Sequence, residues 1–152
     1  MIKVLFVCHG NICRSPMAEF VLKDMVEKRG LSDQFLIESA ATSEEEIWNG
    51  IGNPVYPPAR KKLAEHGIDC GGKRARRLTR EDYDKFDYLI GMDANNIRNM
   101  EKMTGHKGGK ISLLLQFAGK NDSIADPWYS GDFDATYRDV TEGCEALLNA
   151  IL

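Results

Sequence analysis

Cys8 and Arg14 are the two residues whose types and spacing indicate chemistry most directly. Only a thiolate is strongly nucleophilic, and an ordinary cysteine, with a pKa of about 8.5, is mostly protonated at neutral pH. Backbone N–H groups at a helix N-terminus and a guanidinium both stabilise negative charge. The same groups would bind the oxygens of a phosphoryl group, to which arginine offers a planar fork. The pair therefore predicts a thiolate aimed at a bound phosphate.

The residues on either side of this pair predict how it is positioned. Residues 2–7, IKVLFV, form a nearly continuous apolar run, which is typical of a parallel strand covered on both faces. Ser15 opens a helical pattern, and Pro16 fits its first turn because the missing N–H costs nothing there. The backbone between strand and helix can thus surround an anion. The residues of this phosphate-binding loop are His9, Gly10, Asn11, Ile12 and Cys13.

Strand and helix patterns alternate along the chain without an internal repeat or a linker. The predicted strands are 2–7, 35–39, 88–90 and 111–115, and the predicted helices are 16–29, 57–66, 95–103 and 134–152. Such alternation implies right-handed crossovers and a parallel sheet. We therefore expect one domain over residues 1–152, an α/β three-layer sandwich. Its four-stranded parallel sheet has helices on both faces, and the phosphate loop follows the first strand.

Composition and charge exclude several classes of function. A chain of 152 residues that is 43% hydrophobic suits one domain with a sizeable core. A net charge of −3 argues against nucleic-acid binding, and no apolar stretch reaches the length of a membrane span. Four cysteines without a secretion signal indicate reduced thiols in the cytoplasm. The cysteines and histidines lack the spacing of metal ligands, so no metal site is expected.

Seven segments of the chain, in order, resemble the low-molecular-weight protein tyrosine phosphatase family. They are VCHGNICRSPMAE (7–19), ESAATS (38–43), IGNP (51–54), HGI (66–68), RARRLT (74–79), FDYLIGMDANN (86–96) and DPWYSGDF (126–133). The first and the last of these segments, taken together, are highly specific for this family. The resemblance implies a cytoplasmic, cofactor-independent enzyme that removes phosphate from phosphotyrosine in proteins, or from a small aryl phosphate, through a phospho-cysteine intermediate. We expect it to act as a monomer.

The resemblance also implies how the leaving group and the substrate ring are handled. Asp126 corresponds to the general acid that protonates the leaving oxygen and, once ionised, activates water for the second step. The alternative is that Asp126 only starts an Asp-Pro turn. Trp48, Trp128 and Tyr129 would wall a deep slot that admits a phenyl ring, although Trp48 could instead anchor its own loop.

Polar residues near the loop are expected to support it. Asn11 suits a left-handed turn, and Ser15 can donate a hydrogen bond to the Cys8 thiolate. By resemblance, Asn11, Ser39 and His66 form a hydrogen-bond network beneath the loop. Taken alone, His66 is more typical of a helix C-terminus, where it faces the helix dipole.

Three further features each have two interpretations. Asp93 matches a family residue near the site, but it can equally cap a helix. Cys13 can form a disulfide with Cys8 and protect it from irreversible oxidation, or it can be a small residue that simply fits. The basic run Lys73–Arg80 is either a solvated face or a surface that steers an acidic phosphopeptide.

Two other functions share parts of this pattern. An arsenate reductase of the same fold also uses a Cys-x5-Arg loop, but it needs two further cysteines to relay electrons, and residues 89–96 contain none. A non-catalytic phosphate-binding module or phosphocysteine carrier domain must preserve its phosphocysteine, which a water-activating Asp126 would discharge. Hydrolysis is therefore the preferred interpretation.

Overall fold

A four-stranded parallel sheet lies at the centre of the computed structural model, which describes all 152 residues. The strands are β1 (Ile2–Cys8), β2 (Phe35–Ala41), β3 (Ile47–Trp48), β4 (Ile51–Gly52), β5 (Tyr88–Gly91) and β6 (Ile111–Leu113). The helices are α1 (Arg14–Lys28), α2 (Pro57–Glu65), α3 (Asp82–Lys85), α4 (Ala94–Thr104), α5 (Pro127–Ser130) and α6 (Phe133–Ile151), with 3-10 turns at Ser32–Gln34 and Leu114–Ala118. The parallel sheet has the order β2-β1-β5-β6, and β3 and β4 form a separate antiparallel hairpin.

Strand β1 is buried on both faces, as its unbroken apolar run predicts. Val4 and Phe6 belong to the larger core, which packs against α1 and α6. Leu5 and Val7 point to the other face and join a smaller core that includes Met100 of α4. Side chains along a strand alternate between its faces, so one continuous run fills both cores. The expected α/β three-layer arrangement is confirmed.

The carboxyl end of β1 leads directly into the predicted phosphate-binding loop. Cys8 is the last residue of β1, paired with Ala41 at the end of β2, and α1 begins at Arg14. The loop therefore occupies the edge of the sheet where ligands bind in open parallel α/β folds. No helix of the chain combines the length and the apolarity that crossing a bilayer requires.

Two elements differ from the sequence-based expectation. The fourth strand ends at Leu113 instead of residue 115, because a 3-10 turn begins at Leu114 and the Gln116 side chain accepts a hydrogen bond from the Leu113 N–H. A run of leucines is equally compatible with a strand and with a buried turn, which is why its pattern was misleading. The segment 42–56, expected to be an irregular loop, contains the β3–β4 hairpin.

Candidate active site

A single cavity opens above the loop that joins β1 to α1. Its lining comes from three separate parts of the chain, namely Cys8, His9, Gly10, Ile12, Cys13 and Arg14, then Glu45 and Glu46, and finally Asp126, Trp128 and Tyr129. The residues predicted for nucleophile, anion binding and general acid thus lie around one space.

The Cys8 thiol lies at the base of the cavity, where the polypeptide shields it almost completely. Its Sγ is 2.9 Å from the hydroxyl oxygen of Ser15 in the first turn of α1. The β2 edge holds the backbone on either side of the thiol, since the Thr42 N–H donates to the Cys8 carbonyl and the Ser43 N–H to the His9 carbonyl. The sulfur is therefore fixed in position, with a hydroxyl as its polar neighbour.

Asn11 gives the loop its tight curvature. Its φ of 59° lies in the left-handed region, which asparagine tolerates better than most residues. The buried side chain then makes three hydrogen bonds: Nδ2 donates to Ser15 Oγ (2.8 Å) and to Ser39 Oγ (2.9 Å), and Oδ1 accepts from the Arg76 N–H (3.1 Å). The predicted support of the loop by Asn11 and Ser39 is thus present in the structure.

The Arg14 guanidinium is only 3% exposed and is held from two sides. Its Nη1 donates to Asp93 Oδ2 at 2.7 Å and to the Ile124 carbonyl at 3.0 Å, and its Nη2 lies 3.5 Å from Asp126 Oδ2. Burial alone would lower the pKa of Arg14, but the charges of Cys8 and Asp93 outweigh it, so the pKa lies above its usual value. The group is a fixed cation at the cavity.

Asp126 lies just before α5, where it both caps the helix and lines the cavity. Its Oδ1 accepts a hydrogen bond from the Trp128 N–H at 3.0 Å, so it caps this short helix. The same carboxyl lines the cavity beside Arg14. The cap holds the carboxyl at the cavity, so its place in a turn does not exclude a role as proton donor.

Aromatic side chains form one wall of the cavity. Trp128 is about half exposed and Tyr129 is 85% exposed. Tyr56 supports the wall from behind, because its ring lies 4.8 Å from that of Trp128 and its N–H donates to the Ile12 carbonyl. Tyr56 was not predicted from the sequence, where it belongs to a segment assigned as a polar loop. An apolar wall of this kind suits the face of an aryl ring.

Trp48 does not form part of this wall. It lies in β3 with 78% of its surface exposed and is absent from the cavity lining, which corrects the expectation that it pairs with Trp128. The β3–β4 hairpin turns Trp48 outward opposite Ile51, so the residues facing the cavity are the preceding Glu45 and Glu46. Exposed carboxylates carry no pattern that distinguishes a cavity wall from an ordinary polar loop, so the sequence did not reveal them.

His66 is also placed differently from the expectation. It follows the last residue of α2, is exposed, and stacks on Tyr137 of α6 with ring centroids 4.0 Å apart. It makes no contact with Asn11 or Ser39. The structure therefore places His66 at a helix C-terminus, because it is the residue that caps the end of α2.

Two residues that the sequence analysis missed occupy the space beneath the loop. Glu19 of α1 is 3% exposed and accepts a hydrogen bond from Ser39. Lys73 donates to the Ser39 carbonyl at 2.9 Å and lies 3.6 Å from Glu19. A Glu in an amphipathic helix and a Lys in a basic run are normally solvent-exposed, which hid both of them.

The four cysteines differ in character although all are buried and free. Burial, together with the nearby charge of Cys8, raises the pKa of Cys13 to about 12. Burial also raises the pKa of Cys70 and of Cys144 above the usual value. At neutral pH these three groups are therefore predominantly thiols, which react much more slowly as nucleophiles than a thiolate does.

Asp93 and His9 complete the polar surroundings. Asp93 orients Arg14 and also caps α4, where its side chain accepts from the Asn96 N–H, so both of its interpretations apply. The half-exposed His9 side chain lies 3.0 Å from Glu45, and both residues line the cavity. The structure contains no cluster of three or more His, Cys, Asp or Glu residues that could hold a metal ion.

Comparison with known proteins gives consistent matches over nearly the whole chain. The family model described as low molecular weight phosphotyrosine protein phosphatase matches residues 3–152. The low molecular weight protein-tyrosine-phosphatase YfkJ of Bacillus subtilis is 41% identical over 99% of this chain and 96% of its own, and the low molecular weight phosphotyrosine protein phosphatase of Sus scrofa is 37% identical over 97% and 94%.

Solved structures agree with the sequence matches. The crystal structure of YfkJ superposes with a TM-score of 0.92 at 40% identity, covering 99% of this chain and 94% of that one. The structure of DARP, described as a Drosophila arginine phosphatase, superposes with a TM-score of 0.87 at 34% identity, covering 99% and 98%. Proteins of this fold thus include two kinds of named phosphatase.

Proposed function

The chain belongs to the low molecular weight phosphotyrosine protein phosphatase family, a family of cysteine-dependent enzymes, and on that premise we propose that it hydrolyses phosphotyrosine through a phosphoryl group carried on Cys8. The observation that supports this mechanism is that Cys8, Arg14 and Asp126 line one cavity. A nucleophile, a fixed cation and a carboxyl group that can donate a proton are the three groups that the reaction requires.

In the first step the Cys8 thiolate attacks phosphorus. The sulfur–phosphorus bond forms as the bond from phosphorus to the tyrosine oxygen breaks, and Asp126 transfers its proton to that oxygen. Arg14 and the N–H groups of the loop bind the remaining phosphoryl oxygens, where negative charge must be stabilised throughout. Tyrosine leaves as the neutral phenol.

In the second step water replaces the sulfur. Asp126, now ionised, accepts a proton from the water whose oxygen attacks phosphorus. The sulfur–phosphorus bond breaks, Cys8 returns to the thiolate and inorganic phosphate leaves. Ser15, 2.9 Å from the sulfur, stabilises the thiolate both as nucleophile and as leaving group.

The walls of the cavity favour an aryl phosphate. Trp128 and Tyr129 present aromatic surface, and Ile12 contributes an apolar side chain. A phosphoserine side chain is shorter and would leave this apolar surface unused. Glu45 and Glu46 support a second candidate, because two carboxylates that line the same cavity could pair with the guanidinium of phosphoarginine, and one similar structure is described as an arginine phosphatase.

The test is to compare the hydrolysis of matched peptides that carry phosphotyrosine, phosphoserine or phosphoarginine, and to assay arsenate reduction with added thiols. We expect the highest kcat/KM for phosphotyrosine, with turnover abolished in Cys8→Ser while peptide binding is largely retained. A preference for phosphoarginine would establish the second candidate. Thiol-dependent arsenate reduction, or peptide binding without any hydrolysis, would instead support one of the two rival functions.

We further propose that residues 1–152 act as one monomeric domain in the cytoplasm on phosphotyrosine-containing proteins. Both cores share the single central sheet, which supports one folding unit. The four free cysteines are consistent with a reducing compartment. Light scattering on the purified chain gives the oligomeric state directly, and a dimer mass would contradict this part of the proposal.

A further inference from the structure

Glu19 is a buried carboxylate to which the reaction described above assigns no task. Its Oε1 accepts a hydrogen bond from Ser39 Oγ at 2.5 Å, and its Oε2 lies 2.6 Å from Lys23 Nζ. Lys73 lies 3.6 Å from it on the other side. Burying a carboxylate is costly unless it is paired and hydrogen-bonded, and here both conditions are met at the end of a chain of side chains that leads to Cys8.

The hydrogen-bond direction at Ser39 follows from the chemistry of its partner. A carboxylate accepts hydrogen bonds and cannot donate them. Ser39 has one hydroxyl proton, which must point to Glu19. Its oxygen is then left to accept, and the group that donates to it is Asn11 Nδ2 at 2.9 Å.

The orientation of the Asn11 amide is fixed from two ends. Its Oδ1 accepts from the Arg76 N–H, so its Nδ2 faces Ser39 and Ser15. The two Nδ2 protons are used in donating to these two hydroxyl oxygens. Ser15 therefore accepts from Asn11, and its own proton is free for the Cys8 sulfur at 2.9 Å.

We infer that Glu19 is a positioning residue that anchors the Asn11 amide through Ser39, so that Asn11 donates to Ser15 and the Ser15 proton is left for the Cys8 thiolate. Two arms of hydrogen bonds diverge from Asn11 Nδ2, one through Ser15 to Cys8 and the other through Ser39 to Glu19. The Arg76 N–H holds the amide at Oδ1, and Glu19, by accepting the Ser39 proton, holds it at Nδ2. The inference rests on the proposed role of Cys8 as nucleophile, and it adds a remote residue on which the reactivity of Cys8 depends.

The test measures the Cys8 thiolate without any substrate. Glu19→Met removes the acceptor and keeps the length of the side chain. We expect alkylation of Cys8 by iodoacetamide near pH 6 to become about tenfold slower, a change of the size of one charge-assisted hydrogen bond. We expect kcat for an aryl phosphate to fall in parallel with KM nearly unchanged, because the phosphate contacts remain.

Asp24→Asn is the matched control. Asp24 lies on the same helix and pairs with Lys28 four residues later, as Glu19 pairs with Lys23, but Asp24 is not part of the hydrogen-bond network that leads to Cys8. The Asp24→Asn variant should leave the alkylation of Cys8 and kcat unchanged. Ser39→Ala removes a single oxygen atom from this hydrogen-bond network and should slow the alkylation of Cys8 in the same way as Glu19→Met. The test therefore remains decisive if Glu19→Met does not fold. Thermal unfolding checks that each variant is native.

A double-mutant cycle with Ser15→Ala separates this mechanism from a general effect of charge. If Glu19 acts through Ser15, Glu19→Met should cause no further loss in the Ser15→Ala background. Additive losses, or an unchanged or faster alkylation in Glu19→Met alone, would overturn the inference. If wild-type Cys8 is no more reactive than an ordinary thiol, the proposed nucleophile fails instead, so the two failures are distinguishable.

Discussion

Arg14 shows how much of the site depends on the geometry of one side chain. Its guanidinium donates to a carboxylate and to a backbone carbonyl while it remains beside the cavity. A planar group with five N–H donors can hold these partners and still present N–H groups to a phosphate, whereas a lysine ammonium offers three donors around one point.

Arg14→Lys should therefore lower kcat by at least about two orders of magnitude, comparable to the loss of a preorganised donor to the transition state. Steady-state kinetics with an aryl phosphate measure this directly. Lys28→Arg, which exchanges the same two residue types on the same helix but outside the cavity and away from Glu19, is the control and should be neutral. Near-normal turnover in Arg14→Lys would mean that Arg14 acts only as a nearby charge.

Cys13 makes a distinct prediction about oxidation. Burial and the neighbouring Cys8 raise its pKa to about 12, so Cys13 stays protonated and does not compete with Cys8 for peroxide. Once Cys8 is a sulfenic acid, the Cys13 thiol can displace its hydroxyl as water and form a disulfide. We expect peroxide inactivation that thiols reverse in the wild type.

Cys13→Ser should retain activity but lose this reversibility. Mass spectrometry of the oxidised protein should find Cys8 linked to Cys13 in the wild type and Cys8 in its sulfinic or sulfonic form in the variant. Cys70→Ser serves as the control, since Cys70 lies outside the cavity. Equal recovery of Cys13→Ser and wild type would remove Cys13 from the redox role.

At the level of elements, the β3–β4 hairpin is tied to the segment that follows α2. The Ala75 N–H donates to the Asn53 carbonyl, and Arg74 donates to the Gly52 carbonyl, each at 2.9 Å. Gly52 packs so closely that a Cβ at this position would overlap the Ala75 backbone. This contact sets the position of the cavity wall that Glu45 and Glu46 form.

Gly52→Ala should accordingly destabilise the protein by about 1–3 kcal/mol, as overpacking typically does, and raise KM through displacement of that wall. Alkylation of Cys8 should be unaffected, because the hairpin is not part of the loop that holds the thiol. Gly72→Ala is the control, as nothing lies within contact of an added Cβ there. Urea denaturation and steady-state kinetics provide both readouts, and equal stability of the two variants would contradict the packing argument.

The basic run Lys73–Arg80 largely serves the fold. Arg76 pairs with Asp82 at 3.0 Å and with Glu38 at 3.3 Å, and Arg77 pairs with Glu44 at 2.9 Å. Burial alone would raise the pKa of Asp82, but hydrogen bonds from Arg76 and from the Thr79 N–H outweigh it, so the pKa of Asp82 lies below its usual value. Neither of the simple interpretations of this run, a solvated face or a steering surface, describes these contacts.

A lowered pKa in the folded state means that Asp82 stabilises the protein above its unfolded pKa of about 3.9 and loses this contribution as the pH falls through the lower folded value. Asp82→Asn should cost about 1.5–3 kcal/mol at pH 7, the range for a hydrogen bond to a charged group. The difference from wild type should shrink below about pH 4. Urea unfolding at several pH values tests this, with the exposed Asp122→Asn as control, and a difference that stays constant with pH would contradict it.

The elements were predictable where one physical cause dominates. The apolar run of β1 and the alternation of strands and helices determine the sheet, and the Cys-x5-Arg spacing places the thiol at the end of a strand. His66 and Trp48 could not be placed, because their positions depend on how α2 ends and how a hairpin turns. Glu19 and Lys73 were missed because residues of these types normally lie on surfaces. Here Glu19 is buried and Lys73 partly buried, since both pair with each other and with Ser39, and Glu19 also pairs with Lys23.

At the scale of the whole molecule, the topology brings distant residues to one edge of the sheet. Cys8 ends the central strand β1, Asp93 follows β5, and Asp126 precedes α5, far along the chain. Parallel strands with crossovers align these ends, so the groups meet without any long irregular loop. The family supplies the class of the enzyme, and this assembly is the physical basis on which we propose a two-step reaction in which the Cys8 sulfur receives and releases the phosphoryl group.

The phospho-cysteine can be tested most directly in the Asp126→Asn variant with p-nitrophenyl phosphate. This leaving group needs little proton assistance, so the first step should proceed while the hydrolysis step, which lacks its base, is slow. Rapid mixing should then show a burst of one p-nitrophenol per enzyme, and acid quench followed by mass spectrometry should find one phosphoryl group on Cys8. Absence of the burst, or a phosphoryl group on any other residue, would contradict the mechanism.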